Sequence, residues 1–154
     1  MKNGFQNVYK MGRELSGLSQ EKASDLLNIS TRCLRYYESG DVPTPDDMAY
    51  HMMGVYGVPY LGWLHLQQNV VGANILPPLS PELYGAALGL QGAIHTLYSK
   101  VPVIAKIAED NLIDSEEAQI WDSEVRPPTR HMSGYLMTLA LHPEKRDSRL
   151  LAAR

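Results

Sequence analysis

The chain has 154 residues, enough for one ordinary domain or for two small ones. Hydrophobic residues make up 44% of it and charged residues 20%, which is typical of a folded globular protein and excludes a disordered one. No apolar run reaches the ~18–20 residues that a membrane-spanning helix needs, and residues 1–7 contain no hydrophobic signal core. The single cysteine, Cys33, excludes an internal disulfide and suits a reducing compartment, so we expect a cytoplasmic protein.

The charge balance differs between the two ends of the chain. The formal net charge is −3, which does not by itself favour a nucleic-acid-binding protein. Residues 1–40 nevertheless carry six basic and four acidic side chains, and the excess of acid lies entirely in residues 41–154. Because binding to DNA needs a local positive potential and not a basic protein overall, residues 1–40 remain a candidate DNA-binding region.

Hydrophobic spacing and helix caps predict five helices in the first half. No segment alternates with period two, so we predict an all-α protein without a sheet. Serine caps, prolines at helix starts, and glycine or asparagine at helix ends set the boundaries. The predicted helices cover residues 8–16, 20–27 (capped by Ser19 and ended by Asn28), 31–39 (capped by Ser30 and ended by Gly40), 45–56 (ended by Gly57) and 59–66.

Proline positions divide the rest of the chain. Three prolines between residues 77 and 81 predict an extended linker over residues 67–80. Beyond it we predict helices over 81–100, 103–108, 115–125 (capped by Asp114) and 129–142, with Pro127 and Pro128 as an interruption. The predicted organisation is a domain at 1–66, the linker at 67–80, a helical region at 81–142 and a flexible tail at 143–154.

One stretch carries several fixed spacings at once. It begins with Leu18-Ser19-Gln20, turns at Asn28-Ile29-Ser30, continues as Leu34-Arg35-Tyr36-Tyr37-Glu38-Ser39-Gly40 and is followed by Pro43 and Pro45. Together these segments resemble the Cro and lambda-repressor type of helix-turn-helix domain, the XRE family, over about residues 8–66. The resemblance implies a five-helix lambda-repressor-like DNA-binding domain, followed here by a small helical C-terminal region.

The predicted interior of this unit combines small and large side chains. Small residues are needed where two short helices cross, and apolar residues of the second helix fill the space beneath them. This sequence differs from the family at Ala23, where leucine is usual, and at Ser24, where alanine is usual. The predicted structural residues are Ala23, Leu27, Ile29, Leu34, Tyr37, Glu38 as a hydrogen-bonding residue, and Gly40.

The resemblance also implies which residues meet DNA. The helix over residues 31–38 would lie in the major groove, where Arg32 could bind a guanine edge through two hydrogen bonds. Gln20, at a helix N-terminus, would bind a phosphate. The full set implied to bind DNA is Lys10, Arg13, Gln20, Ser30, Thr31, Arg32, Arg35, Tyr36 and Ser39.

The sequence contains no pattern that indicates an enzyme. The five histidines form no His-x-x-x-His pair, and no phosphate loop or nucleophile elbow occurs, so we expect neither a metal nor a cofactor. The resemblance implies a transcriptional regulator of prophage, mobile-element or bacterial type, more specifically a repressor that binds a near-palindromic operator as a homodimer. Residues 81–142 are then expected to dimerise; the alternative is an antitoxin or anti-regulator whose C-terminal helices bind a partner protein.

Overall fold

The computed structural model describes residues 7–142; residues 1–6 and the predicted tail at 143–154 lie outside the described part. Every regular element within residues 7–142 is helical, which confirms the all-α prediction. None of the helices in this range is both long enough and apolar enough to cross a membrane. The elements are α1 (Val8–Leu15), α2 (Gln20–Leu27), α3 (Thr31–Ser39), α4 (Asp46–Tyr56), α5 (Tyr60–Leu66), α6 (Val70–Ile75), α7 (Leu83–Ile107), α8 (Ser115–Ile120), a π-helical turn (Trp121–Val125) and α9 (Arg126–Ala140).

Local capping explains where α2 and α3 begin and end. The Ser19 side chain accepts a hydrogen bond from the Lys22 backbone N–H, and Ser30 does the same for Cys33. Asn28 ends α2 with φ of 54° and Gly40 ends α3 with φ of 76°, both in the left-handed region. Both helices therefore occupy the predicted positions.

The chain divides into two compact units, and the first contains α1 to α5. Its core is apolar and includes fully buried side chains from three different helices, among them Leu34, Met52 and Leu61. Gly12 of α1 lies so close to α5 that an added Cβ would come within 2.7 Å of Leu61 Cδ1. Glycine at this position thus permits the close approach of α1 and α5.

The second unit spans residues 74–140 and is built on the contact between α7 and α9. Gly89 of α7 faces the ring of Tyr135 on α9, where an added Cβ would be 2.6 Å from Cε1. Asp114 opens α8 with the predicted capping box, because it accepts from the backbone N–H of Glu117 while the Glu117 side chain accepts from Asp114.

The region predicted as an extended linker differs from that expectation. Residues 70–75 form α6, and the segment after it is held against α9. The Arg130 guanidinium donates to the carbonyls of Asn74, Ile75 and Leu76, so it caps the C-terminal end of α6. Three prolines indicate a break in a helix, but they do not indicate whether the segment packs against a neighbouring helix.

Two predicted helix breaks are also wrong. α7 continues through Pro102, although the missing N–H leaves the Tyr98 carbonyl without its helical donor. Pro127 and Pro128 do not interrupt a helix but lie in the first turn of α9, where a proline is tolerated. The π-helical turn before them carries an i to i−5 hydrogen bond from the Arg126 N–H to the Trp121 carbonyl, which joins α8 and α9.

Candidate nucleic-acid interface

The candidate interface is the exposed face of α3. Leu34 of this helix is fully buried and Tyr37 packs against the core, so the opposite side of α3 faces outward. Arg32, Arg35 and Tyr36 are exposed on α3. The structure therefore brings together three of the five α3 side chains that the resemblance implies for contact with DNA.

Arg32 and Tyr36 form a local pair one turn apart. Arg32 Nε donates to the Tyr36 hydroxyl at 3.0 Å, and the guanidinium carbon lies 5.6 Å from the ring centroid. A cation over an aromatic face is stabilised by the ring quadrupole, modestly so at an exposed site. The contact with Tyr36 restrains the Arg32 side chain near its Nε. The two Nη groups of Arg32 make no hydrogen bond within residues 7–142, so both donors are available to bind a base edge or a phosphate.

The turn between α2 and α3 is closed by hydroxyl groups. Ser24 donates to the Glu21 carbonyl at 2.9 Å, and its oxygen lies 3.0 Å from the Thr31 hydroxyl. Because Ser24 has a single proton, Thr31 is the donor in the second bond. The serine that departs from the family pattern thus ties Thr31 to α2, and the Thr31 hydroxyl is engaged inside the protein and not held ready for a base.

Arg13 occupies a different place from the one predicted. The resemblance implies a contact with DNA, but Arg13 is 7% exposed and its guanidinium binds both carboxylate oxygens of Glu38, at 2.5 and 3.0 Å. A third bond runs from Arg13 Nη1 to the Leu18 carbonyl. The hydrogen bonds to Glu38 raise the pKa of Arg13, and the pair joins α1 to α3. Glu38 is hydrogen-bonded, as predicted, but its partner could not be predicted because the two residues lie 25 positions apart.

Gln20 connects this buried pair to the surface. Its Nε2 donates to Glu38 at 2.8 Å, and its Oε1 accepts from Arg35 Nε at 3.2 Å. The predicted phosphate contact of the Gln20 side chain therefore competes with two bonds inside the protein. Arg35 is positioned by this amide, since its Nε is held toward the start of α2, where backbone N–H groups favour anions.

The C-terminal end of α3 is poorly suited to bind a phosphate. The backbone N–H groups of Gly40, Asp41 and Val42 donate to carbonyls of α3 and are occupied. Ser39, predicted to bind DNA, donates to the Asp41 carboxylate at 2.6 Å, and its hydroxyl oxygen lies 3.1 Å from the Tyr36 carbonyl. A carboxylate at this position repels phosphate, so the structure favours the beginning of α3 over its end.

Two other predicted contacts have simpler surroundings. Lys10 is exposed on α1 and forms only a loose pair with Glu14, at 3.9 Å. Ser30 caps α3 through its side chain, which assigns it a structural task at the edge of the interface. Lys22, which the sequence analysis did not select for DNA binding, is exposed in the first turn of α2 and adds a cation there.

A hydrogen-bonded chain of Tyr9, His65 and Asp46 was not foreseen. The Tyr9 hydroxyl lies 2.6 Å from His65 Nδ1, and His65 Nε2 lies 2.8 Å from Asp46. Tyr9 is 2% exposed, so the chain ends in the core and joins α1, α4 and α5. Within residues 7–142 no group of three His, Cys, Asp or Glu side chains is placed to hold a metal ion.

Comparison of the chain with family models, with curated proteins and with solved structures finds no match.

Proposed function

We propose that the protein is a sequence-specific DNA-binding transcriptional regulator, a repressor of prophage or mobile-element type, that inserts α3 into the major groove of a near-palindromic operator. The observation that carries the proposal is the outward face at the start of α3, where Arg32, Arg35 and Tyr36 are exposed together. A short helix whose inner side is fixed in a core can enter the ~12 Å wide groove without rearrangement.

Each exposed side chain has a distinct task in this proposal. Arg32 offers two Nη groups to a guanine edge, and Tyr36 holds its stem. Arg35, oriented by Gln20, binds a phosphate beside the start of α2. Arg13 and Glu38 fix α3 on α1 and do not touch DNA.

The charge of the chain limits affinity and suggests pairing of two chains. The net charge of −3 gives no long-range attraction for DNA, and residues 1–40 carry only six basic against four acidic side chains, so a single unit binds modestly. Two copies on one site add their contacts, and the half-sites then lie about one helical turn apart. The operator is therefore expected to be an inverted repeat.

Selection of bound duplexes from random DNA, followed by titration of the selected site, tests the proposal. We expect an enriched inverted repeat and an affinity that falls steeply with salt. Arg32→Ala should weaken binding to the selected site ~5–150-fold, which corresponds to the ~1–3 kcal/mol of one base contact, and should relax preference at one position of each half-site.

Arg126→Ala provides the matched control, because Arg126 is an exposed arginine of the second unit with a local Asp122 partner. It should leave affinity for the selected duplex unchanged. Failure to enrich any sequence, or equal affinities of the wild type and Arg32→Ala for the enriched site, would contradict the proposal. Co-purification of a stoichiometric protein without salt-sensitive DNA binding would instead support the partner-binding alternative.

A further inference from the structure

α7 carries apolar residues on two opposite sides. One side packs in the second unit, with Ala86, Ala93 and Ile107 buried. The other side is exposed although it is apolar: Tyr84 is 74% exposed, Leu88 51% and Tyr98 79%. A helix that is hydrophobic all round is normally covered on all sides, so the outer side of α7 lacks the partner that its composition requires.

The outer side has a regular spacing. Tyr84, Leu88, Gln91, His95, Tyr98 and Pro102 follow one another at intervals of four, three, four, three and four residues. This is the heptad spacing of a helix that packs along another helix, and it extends about 27 Å. We call these six residues the outer seam.

No fixed charge interrupts the outer seam. From residue 83 to residue 99 the sequence contains no Asp, Glu, Lys or Arg. A shallow groove on the seam is lined by Leu88, Gln91, Gly92, Ile94, His95 and Tyr98, and an added Cβ at Gly92 would meet nothing within 4 Å. The groove can therefore receive a side chain from a facing helix, and charge complementarity with a charged partner plays no part.

The outer seam is complementary to itself in the antiparallel direction. When a second α7 runs the opposite way, Leu88 of each chain meets Tyr98 of the other, and Gln91 meets His95. The first pair buries apolar surface twice, and the second joins an amide to an imidazole by a hydrogen bond twice. These two polar pairs at the centre of the seam fix the register, because any shift would leave their groups unpaired.

The exposed area suits a specific interface between two copies. Tyr84, Leu88 and Tyr98, with Ile94 and Val101 beside them (each 53% exposed), present on the order of 600 Å² of surface, and Gln91 and His95 bring this near the ~800 Å² per partner of a standard interface. Burying an area of this size requires a whole helix face of the partner and not a single side chain.

We propose that the outer seam of α7 pairs with the outer seam of a second copy, antiparallel, and makes the protein a homodimer. This inference rests on the proposed function only in that a dimer would place two copies of α3 on one operator. The residues of the outer seam are identified from their exposure and spacing, without any assumption about DNA.

Sedimentation velocity of the full chain in the absence of DNA tests this dimer. The wild type should sediment with twice the 17.2 kDa chain mass at micromolar concentration. Leu88→Glu and Tyr98→Glu should each weaken association ~100-fold or more, because a charge is buried twice at the symmetric interface. Both side chains are exposed in the single chain, so circular dichroism should show unchanged helix content.

Leu136→Glu is the matched control, since Leu136 is 45% exposed on α9 of the same unit and lies off the outer seam. It should remain dimeric. A monomeric wild type, or dissociation by Leu136→Glu but not by Leu88→Glu, would overturn the inference. A monomer that still binds a palindrome would contradict this surface alone, and a dimer without affinity for DNA would contradict the proposed function alone.

Cross-linking determines the direction of pairing. In a Cys33→Ser background, an equal mixture of Leu88→Cys and Tyr98→Cys chains should form a mixed disulfide, and neither chain alone should cross-link efficiently. Efficient self-linking of the Leu88→Cys chain would overturn the antiparallel arrangement, because it would place equivalent positions side by side.

Discussion

At the residue scale, the pair of Arg13 and Glu38 is the clearest case of charge used inside the first unit. Their side chains are 9% and 3% exposed, and each carries hydrogen bonds beyond the ion pair itself. Removing one partner of such a pair leaves a buried charge uncompensated, which is far more costly than losing a surface contact.

Arg13→Met should therefore destabilise the first unit by ~3–5 kcal/mol, measured as the free energy of unfolding in urea. Lys10→Met is the control, because the exposed Lys10 holds only a pair at 3.9 Å and should cost less than ~0.5 kcal/mol. Unchanged stability of Arg13→Met together with weaker DNA binding would mean that Arg13 is a surface contact after all.

Two buried tyrosines of the same core differ in their hydrogen bonding. The Tyr56 hydroxyl is buried and makes no hydrogen bond within residues 7–142, whereas the Tyr9 hydroxyl contacts His65. Tyr56→Phe should leave stability unchanged or raise it slightly, and Tyr9→Phe should cost ~1 kcal/mol or more because His65 loses its neighbour. Thermal unfolding of the two variants measures the difference, and an equal loss in both would contradict it.

The same tyrosines make stability sensitive to alkaline pH. Burial raises the pKa of Tyr56, with a further contribution from the Glu38 charge, and burial also raises the pKa of Tyr9. The pKa of each tyrosine is therefore higher in the folded state than the ~10 of the unfolded state, and its contribution to stability is complete below that pH. As the pH rises above ~10, the contribution is lost by up to ~1.4 kcal/mol per pH unit for each tyrosine. In urea titrations above pH 10, Tyr56→Phe should lose stability less steeply than the wild type; identical slopes would show that Tyr56 ionises freely.

At the element scale, Gly134 of α9 permits the close approach of residues 76–80, the segment before α7. An added Cβ at Gly134 would collide with the Pro78 carbonyl, so Gly134→Ala should cost ~1–3 kcal/mol through a shift of residues 76–80. Gly85→Ala in α7 is the control, since its nearest neighbour would be an ordinary 3.5 Å away and alanine favours helix. Equal unfolding temperatures of the two variants would show that residues 76–80 are not held against α9.

The elements differ in how far local sequence determines them. Caps such as Ser19, Ser30 and Gly40 act within one helical turn, so the positions of α2 and α3 follow from the sequence. The extent of α7 through Pro102, and α6 within the expected linker, depend on packing and solvation that local propensity does not include. Proline marks a missing donor, but whether the helix ends there depends on its neighbours.

At the scale of the whole molecule, the features that could not be predicted from the sequence are long-range polar contacts. The exposed set of Arg32, Arg35 and Tyr36 was predicted, because spacing from buried Leu34 determines which side of α3 faces outward. The burial of Arg13 and the engagement of Gln20 could not be predicted, since both depend on Glu38 in a different helix. The helix-turn-helix resemblance indicates which positions could contact DNA, and only the folded chain shows which of those side chains already bond within the protein.

Amide chemical shifts recorded during titration with a selected duplex show whether α3 is the surface that meets DNA. We expect shifts concentrated in α3 and the first turn of α2, with those of α9 unchanged, and smaller α3 shifts in Arg32→Ala at the same duplex concentration. Shifts confined to residues 74–140, or none at low salt, would mean that α3 does not bind DNA.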